Sequence, residues 1–194
     1  MDGVYDVILA DPPWWYSSRS ANRATKFGGG ARAHYEVMPD KDLLAMSDHV
    51  KSLCAENAVM FMWATGPRMD FACELLKAWG FRYATIAFTW IKKTKHDKIH
   101  RGPGTYTSSN AEFCLIGVKG SMPPTKKLVP SVILYPRMRH SEKPPVVRER
   151  IEAMYPNARR LEMFARHTAI GWGAQGNQVG ILDDPNRTLS LTTA

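Results

Sequence analysis

The apolar run Tyr5 to Ala10 (YDVILA) ends abruptly on Asp11-Pro12-Pro13-Trp14, and no other feature constrains the fold as much. A run this short and this apolar reads as a buried strand. Proline lacks the N–H that a strand ladder needs, so two in succession stop the strand at Asp11. In open α/β sheets, ligands gather outside the carboxyl ends of strands, which is where this tetrapeptide falls.

The rest of the chain alternates in period. Asp40 is placed to cap a helix running to about Leu53, with Leu43, Leu44, Val50 and Leu53 as its apolar positions. Ala58 to Ala64 (AVMFMWA) is a second buried strand. Thr65 then caps a helix with Pro67 in its first turn, Gly80 past its end, and Ala72, Leu75, Leu76 and Trp79 on its inner face. Strands follow over Phe81 to Ile91 and Ala111 to Val118, with a shorter one at Val132 to Leu134. A helix over Pro144 to Tyr155 presents Val147, Ile151 and Met154, and Arg160 to Phe164 is the last strand. Strands alternating with helices predict an α/β domain with a largely parallel central sheet flanked by helices. Residues 1–180 form one domain in this reading, and the polar tail 181–194 has little to bury.

Composition excludes several classes. Of 194 residues 44% are hydrophobic and 23% charged, as in an ordinary globular domain, and no apolar run approaches the ~20 residues of a membrane span. The N-terminus lacks the basic start and cleavage site of a signal peptide. Three scattered cysteines, Cys54, Cys73 and Cys114, fit a reducing cytoplasm, and no histidine spacing builds a metal site. Gly171-Trp172-Gly173-Ala174-Gln175-Gly176 spells G-x-G-x-x-G, but no helix and distant acid follow as a dinucleotide site requires. No glycine loop ends in G-K-S or G-K-T, so a P-loop has no support.

The net charge of +8 is gathered in two turn-rich segments. Arg19, Arg23, Lys26 and Arg32 surround Phe27-Gly28-Gly29-Gly30, and Lys92, Lys93, Lys95 and Lys98 lead into RGPGTYTSSN, which Arg101 opens. Basic loops beside a site suit a polyanion, although solvated surface loops carry the same pattern.

Asp11 to Trp14 match what methylation of an aromatic amine requires. The lone pair of adenine N6 is delocalised into its ring. A carboxylate and a carbonyl that accept both N6 hydrogens localise it and aim it at a sulfonium methyl, by positioning and electrostatics. Asp11 offers the carboxylate, Pro12 a carbonyl on stiff backbone beside Pro13, and Trp14 a face for a flipped-out base. The bland counterpart is a proline turn with Trp14 in the core.

ADPPWWY resembles the catalytic motif of the MT-A70 adenine-N6 methyltransferases. Five further segments are similar to that family in the same order: HYEVMPDKDLLAM, FMWATGPRM, EFCLIGVKG, SEKPPVVRERIE, and LEMFAR followed by GWGAQGNQ. The resemblance implies a Rossmann-like methyltransferase fold whose catalytic motif precedes the cofactor loop, with S-adenosylmethionine as cofactor. It implies that Asp11 touches amine and cofactor, that Lys143 meets the cofactor carboxylate, that Arg166, Asn177 and Gln178 hold the ribose hydroxyls, and that His167 is a further cofactor-binding residue. Tyr35 and Trp14 would line the adenine pocket, with Arg19, Lys26, Lys92 and Lys93 on the nucleic acid. Two departures stand out: Gly173 replaces the acid of a G-W-D element, and Gln178 follows Asn177. The same motif serves DNA or RNA, and a catalytically silent nucleic-acid-binding partner is the third reading. The compact chain favours DNA, and a homodimer suits its size.

Overall fold

In the computed structural model the described residues are 4–16, 37–104, 106–138, 142–177 and 179. The expected tail 181–194 lies outside them. Seven strands are described: β1 Tyr5–Ala10, β2 Cys54–Ala64, β3 Arg82–Lys93, β4 Ala111–Lys119, β5 Val132–Pro136, β6 Arg160–Met163 and β7 Trp172–Gln175. Four α-helices accompany them: α1 Asp40–Ala45, α2 Ser47–Leu53, α3 Met69–Ala78 and α4 Val146–Met154. The strands form one sheet in the order β5-β3-β4-β2-β1-β6-β7. The pairs β1–β2, β1–β6, β3–β5 and β6–β7 are parallel, whereas β4 runs antiparallel to both β2 and β3. The architecture is Rossmann-like, mostly parallel with helices on both faces.

Alternate residues of β1 serve opposite faces, as the strand period demands. Ile8 and Ala10 join Met60, Met62 and Leu161 in a core closed by Leu43, Val50, Leu75 and Leu76 of α1, α2 and α3. Val7 and Leu9 join Val59, Phe61 and Trp63 in a second core closed by Val147 and Ile151 of α4. Helical cover on both sides is what makes an unbroken apolar strand soluble.

Several boundaries differ from the sequence expectation. The helix expected from Asp40 to Leu53 is two helices broken at Met46, whose N–H bonds Leu43 O three residues back. Ser47 Oγ donates to Ala78 O at 2.6 Å, fixing the second helix to the end of α3. Asp40 lies inside α1 and pairs with Arg68 at 2.5 Å instead of capping. The helix expected at Thr65 starts as a 3₁₀ turn, Gly66–Arg68, and Thr65 Oγ1 is engaged by Tyr16 Oη at 2.8 Å. The strand expected at Ala58 begins at Cys54.

Arg160–Met163 is not the last strand, because β7 follows it. A four-residue strand with a central glycine carries little periodic signal. At Gly173, where the family's G-W-D pattern has an acid, a Cβ would stand 2.7 Å from Tyr5 Oη, so a larger residue there would displace the Tyr5 ring.

Candidate active site

The chain leaves β1 toward β2 on one side and leaves β6 toward β7 on the other. A crevice therefore opens at the carboxyl ends of β1 and β6, the switch point at which doubly wound sheets bind ligands. Ala10 is in register with Met62 and with Met163, so Asp11, Trp63 and Phe164 emerge at one level. Because β4 is antiparallel, its first residues come to the same end, with Phe113 opposite Ala64.

A cavity of about 790 Å³ occupies this crevice, a size suited to a nucleotide-sized ligand. Its lining includes Asp11, Pro12, Pro13 and Trp14 after β1, Phe164, Arg166, Gly176 and Asn177 around the ends of β6 and β7, and Glu112 and Lys143. Met38, Asp42 and Met46, in and beside α1, line it as well.

At its centre is an alternating row of charges. Lys143 Nζ donates to Asp11 Oδ2 at 2.5 Å and stands 3.6 Å from Glu112 Oε2, and Lys92 bonds the other oxygen of Glu112. The Asp11 side chain is 30% exposed against 17% for Lys143 and Glu112, so within the row Asp11 is the group open to the cavity. Burial pushes the Asp11 carboxyl above its ordinary range, with Lys143 pulling the other way. Glu112 also pays for burial, yet Lys143 and Lys92 outweigh that and hold it below its usual range. Glu112 thus stays ionised between two ammonium groups, while Asp11 has the higher proton affinity.

The proline turn is rigidly seated. Trp14 N–H donates to Pro12 O at 2.8 Å, and Met38 N–H to Pro13 O at 2.9 Å. A carbonyl has two lone pairs, so the Pro12 oxygen retains one. Trp14 is 5% exposed. Its Nε1 donates to Trp63 O at 3.1 Å, and its ring meets Phe71 edge-on at 6.1 Å. The Arg68 guanidinium lies 5.7 Å from the Trp14 ring and 4.6 Å from Phe71.

Just past the end of β6, Phe164 takes φ +58° and its ring stacks on Trp79 at 6.5 Å. A left-handed non-glycine residue costs energy and is typical of functional turns. Ala165 N–H donates to Gln175 O at 3.0 Å. A Cβ at Gly176 would stand 2.1 Å from Ala165 O, so only glycine lets these segments approach. This junction carries Arg166 and Asn177 into the cavity.

Of the sequence-predicted residues, Asp11, Pro12, Pro13, Trp14, Lys143, Arg166 and Asn177 all line one cavity. His167 follows Arg166 outside the lining. Lys92 is engaged by Glu112, and Lys93 pairs with Asp97. Arg19, Arg23, Lys26, Arg32, Tyr35 and Gln178 lie outside the described residues. Glu112 is the site residue to which the motifs give no role. Its signal is an acid placed second in a strand that is apolar from Phe113 to Val118.

A Rossmann-like sheet, a carboxylate on a double-proline turn and a nucleotide-sized crevice that sets charged groups among apolar walls are what a nucleotide-handling transferase needs. The MT-A70 family profile matches residues 5–178. The chain belongs to the MT-A70 family of adenine-N6 methyltransferases. The type II methyltransferase M.MunI of Mycoplasma sp is 35% identical over 203 residues, covering 97% of this chain and 82% of that protein. An N(6)-adenosine-methyltransferase MT-A70-like protein of Arabidopsis thaliana is 30% identical, covering 91% of this chain and 24% of its own. The human N(6)-adenosine-methyltransferase catalytic subunit METTL3 is 25% identical, covering 91% and 28%. Methyltransferases of this family use S-adenosylmethionine. Among the described residues no helix is long and apolar enough to cross a membrane.

Proposed function

We propose that this chain transfers the methyl group of S-adenosylmethionine to N6 of adenine in DNA. The observation that carries the reading is the Asp11 carboxylate, paired with Lys143, part-exposed, and lining one cavity with Arg166 and Asn177. The likeness extending over most of both chains is to a type II methyltransferase, and on that ground we read the nucleic acid as DNA. The N(6)-adenosine-methyltransferases, similar over 91% of this chain, support RNA as the second reading.

The crevice fits the cofactor in size and in donors, with Lys143 for a carboxylate and Arg166 and Asn177 for ribose hydroxyls. When bound, the cofactor supplies an electrophilic methyl on a sulfonium. Asp11 Oδ1 and the free lone pair of the Pro12 carbonyl accept the two N6 hydrogens and hold the amine in line. The amine loses one proton as it gains the methyl, and Asp11, made more basic by burial, stands beside it to receive that proton. Trp14 and Tyr35 line the adenine pocket in this reading, as the family resemblance implies. Arg19, Lys26, Lys93 and the basic residues up to Arg101 meet phosphates. A homodimer and a cytoplasmic location complete the reading.

The test is incubation with S-adenosylmethionine and duplex DNA, single-stranded DNA or RNA, followed by nucleoside mass spectrometry. N6-methyldeoxyadenosine is expected, reduced about 10³-fold or more in Asp11→Ala. Product on RNA alone overturns the DNA reading, and an Asp11→Ala variant of near-normal turnover overturns the role of Asp11.

A further inference from the structure

Arg68 ties together segments that line the crevice without lining it itself. It closes the 3₁₀ turn after β2, where its N–H donates to Thr65 O at 2.9 Å. Its guanidinium lies 4.6 Å from the Phe71 ring centre and 5.7 Å from that of Trp14, within reach of a cation–aromatic attraction. Its Nη2 donates to Asp40 Oδ1 at 2.5 Å. The Arg68 side chain is 14% exposed against 38% for Asp40, and among the described residues its buried Nε meets no acceptor.

Stability alone gives little reason for a cation there. Burying a guanidinium costs solvation, and a single bond to a part-exposed carboxylate returns little of it. An unbranched apolar chain would fill the space beside Trp14 and Phe71 without that cost. What it could not do is hold two segments in fixed relation through a directional bond. Both segments reach the double-proline turn. The Trp14 N–H donates to Pro12 O at 2.8 Å and takes one of its two lone pairs, so the place of Trp14 sets where the other points. Asp40 opens α1, and Met38 just before it donates to Pro13 O at 2.9 Å. The Arg68–Asp40 pair therefore acts on the turn twice, through Trp14 on Pro12 and through Met38 on Pro13.

We propose that Arg68 is a positioning residue for methyl transfer: paired with Asp40, it fixes Trp14 and thereby aims the Pro12 carbonyl at the reacting amine. The inference rests on the methyltransferase reading above and adds to it a residue that acts from behind the turn. The test is the single-turnover rate of methyl transfer at saturating cofactor, on whichever nucleic acid the wild type methylates. Calorimetric affinity for S-adenosylmethionine and Tm are measured alongside. Arg68→Met keeps the length of the chain and removes the charge. It is expected to slow transfer about 10–100-fold, with cofactor Kd within about twofold and Tm within about 3 °C of wild type. Arg68→Lys, which keeps a cation between the rings and Asp40, is expected to recover at least about fivefold of that loss. Asp40→Asn is expected to slow transfer less than Arg68→Met, and the double variant to be no slower than Arg68→Met alone.

A near-normal rate in Arg68→Met, with wild type methylating nucleic acid, overturns this inference alone. A slower rate accompanied by matching losses of cofactor affinity and Tm, and not relieved in Arg68→Lys, overturns it in favour of a purely structural role. Fully additive losses in the double variant overturn the coupling to Asp40. A wild-type protein that methylates neither DNA nor RNA overturns both readings.

Discussion

β1 and β3 belong to the same sheet but have opposite characters. β1 has six residues, of which Val7 to Ala10 are buried, with parallel neighbours on both edges and helices on both faces. β3 has twelve residues, of which Phe88 and Trp90 are buried, and Arg82 to Ile86 are exposed. Each serves the site in a way the other cannot. The short strand, clamped on every side, places one carboxylate with little freedom. The long strand runs on past its buried middle and carries cations from the crevice wall toward solvent. Chemistry that depends on sub-ångström positioning grows from the first kind of strand, and contact with an extended polymer from the second.

Paired truncations sharpen this contrast. Ile8 on β1 is 0% exposed and Ile86 on β3 is 36% exposed. Ile8→Ala empties a site that packed helices cannot refill and is expected to cost about 3 kcal/mol in urea unfolding. Ile86→Ala gives up surface contact and strand propensity, with an expected cost of about 1 kcal/mol or less. Equal losses would break the contrast, because β3 would then be as structural as β1.

Glycines at the two ends separate rigidity from reach. Gly176 sits where β7 closes on the end of β6, and its added Cβ meets the backbone of Ala165. Gly176→Ala is expected to cost about 2 kcal/mol and to abolish measurable cofactor binding by displacing Arg166 and Asn177. Gly102→Ala meets Ser109 in the same way, but it disturbs the β3–β4 connection and is expected to leave cofactor affinity within about twofold. Calorimetric titration of both variants with S-adenosylmethionine checks the difference, and a matching loss in Gly102→Ala would show that this connection supports the crevice.

Burial and punctuation made part of this legible from sequence. YDVILA followed by two prolines announces a buried strand with a carboxylate at its end, because the run is too short for a buried helix and the prolines stop it. The α3 helix was similarly clear, since its apolar spacing and Gly80 agree. The break at Met46 was not, because Leu43 and Val50 continue one helical stripe across it and the cause, Ser47 bonding Ala78, is a long-range contact. β7 was hidden because a four-residue strand with a central glycine carries little periodic signal, and the Tyr5 ring that Gly173 leaves room for lies far off in the chain. Within the site, Lys143 meeting Asp11 across 132 positions has no local signature. The family motifs bring both residues to notice, but only the antiparallel course of β4 inserts Glu112 between Lys143 and Lys92.

The smallest expected effect concerns how β1 begins. Asp6 accepts from the Arg159 backbone N–H at 2.9 Å and from its Nε and Nη2 at 3.0 and 2.8 Å, tying the start of β1 to the segment entering β6. The Arg159 guanidinium holds the Asp6 carboxyl below its ordinary range, against a smaller opposing effect of burial. A depressed folded-state pKa means that the unfolded chain binds the proton more readily. The tie therefore contributes stability above the ordinary value of 3.8 and loses it as pH falls through the folded value. Arg159 is largely exposed, so solvent screens the pair and the effect is small. Asp6→Asn is expected to lower Tm by roughly 1–3 °C at pH 7, with the two melting curves converging as pH falls through the depressed folded-state value, below the ordinary 3.8. A gap that persists undiminished in acid would mean that Asp6 holds β1 by hydrogen-bond geometry that asparagine cannot copy, and not by charge.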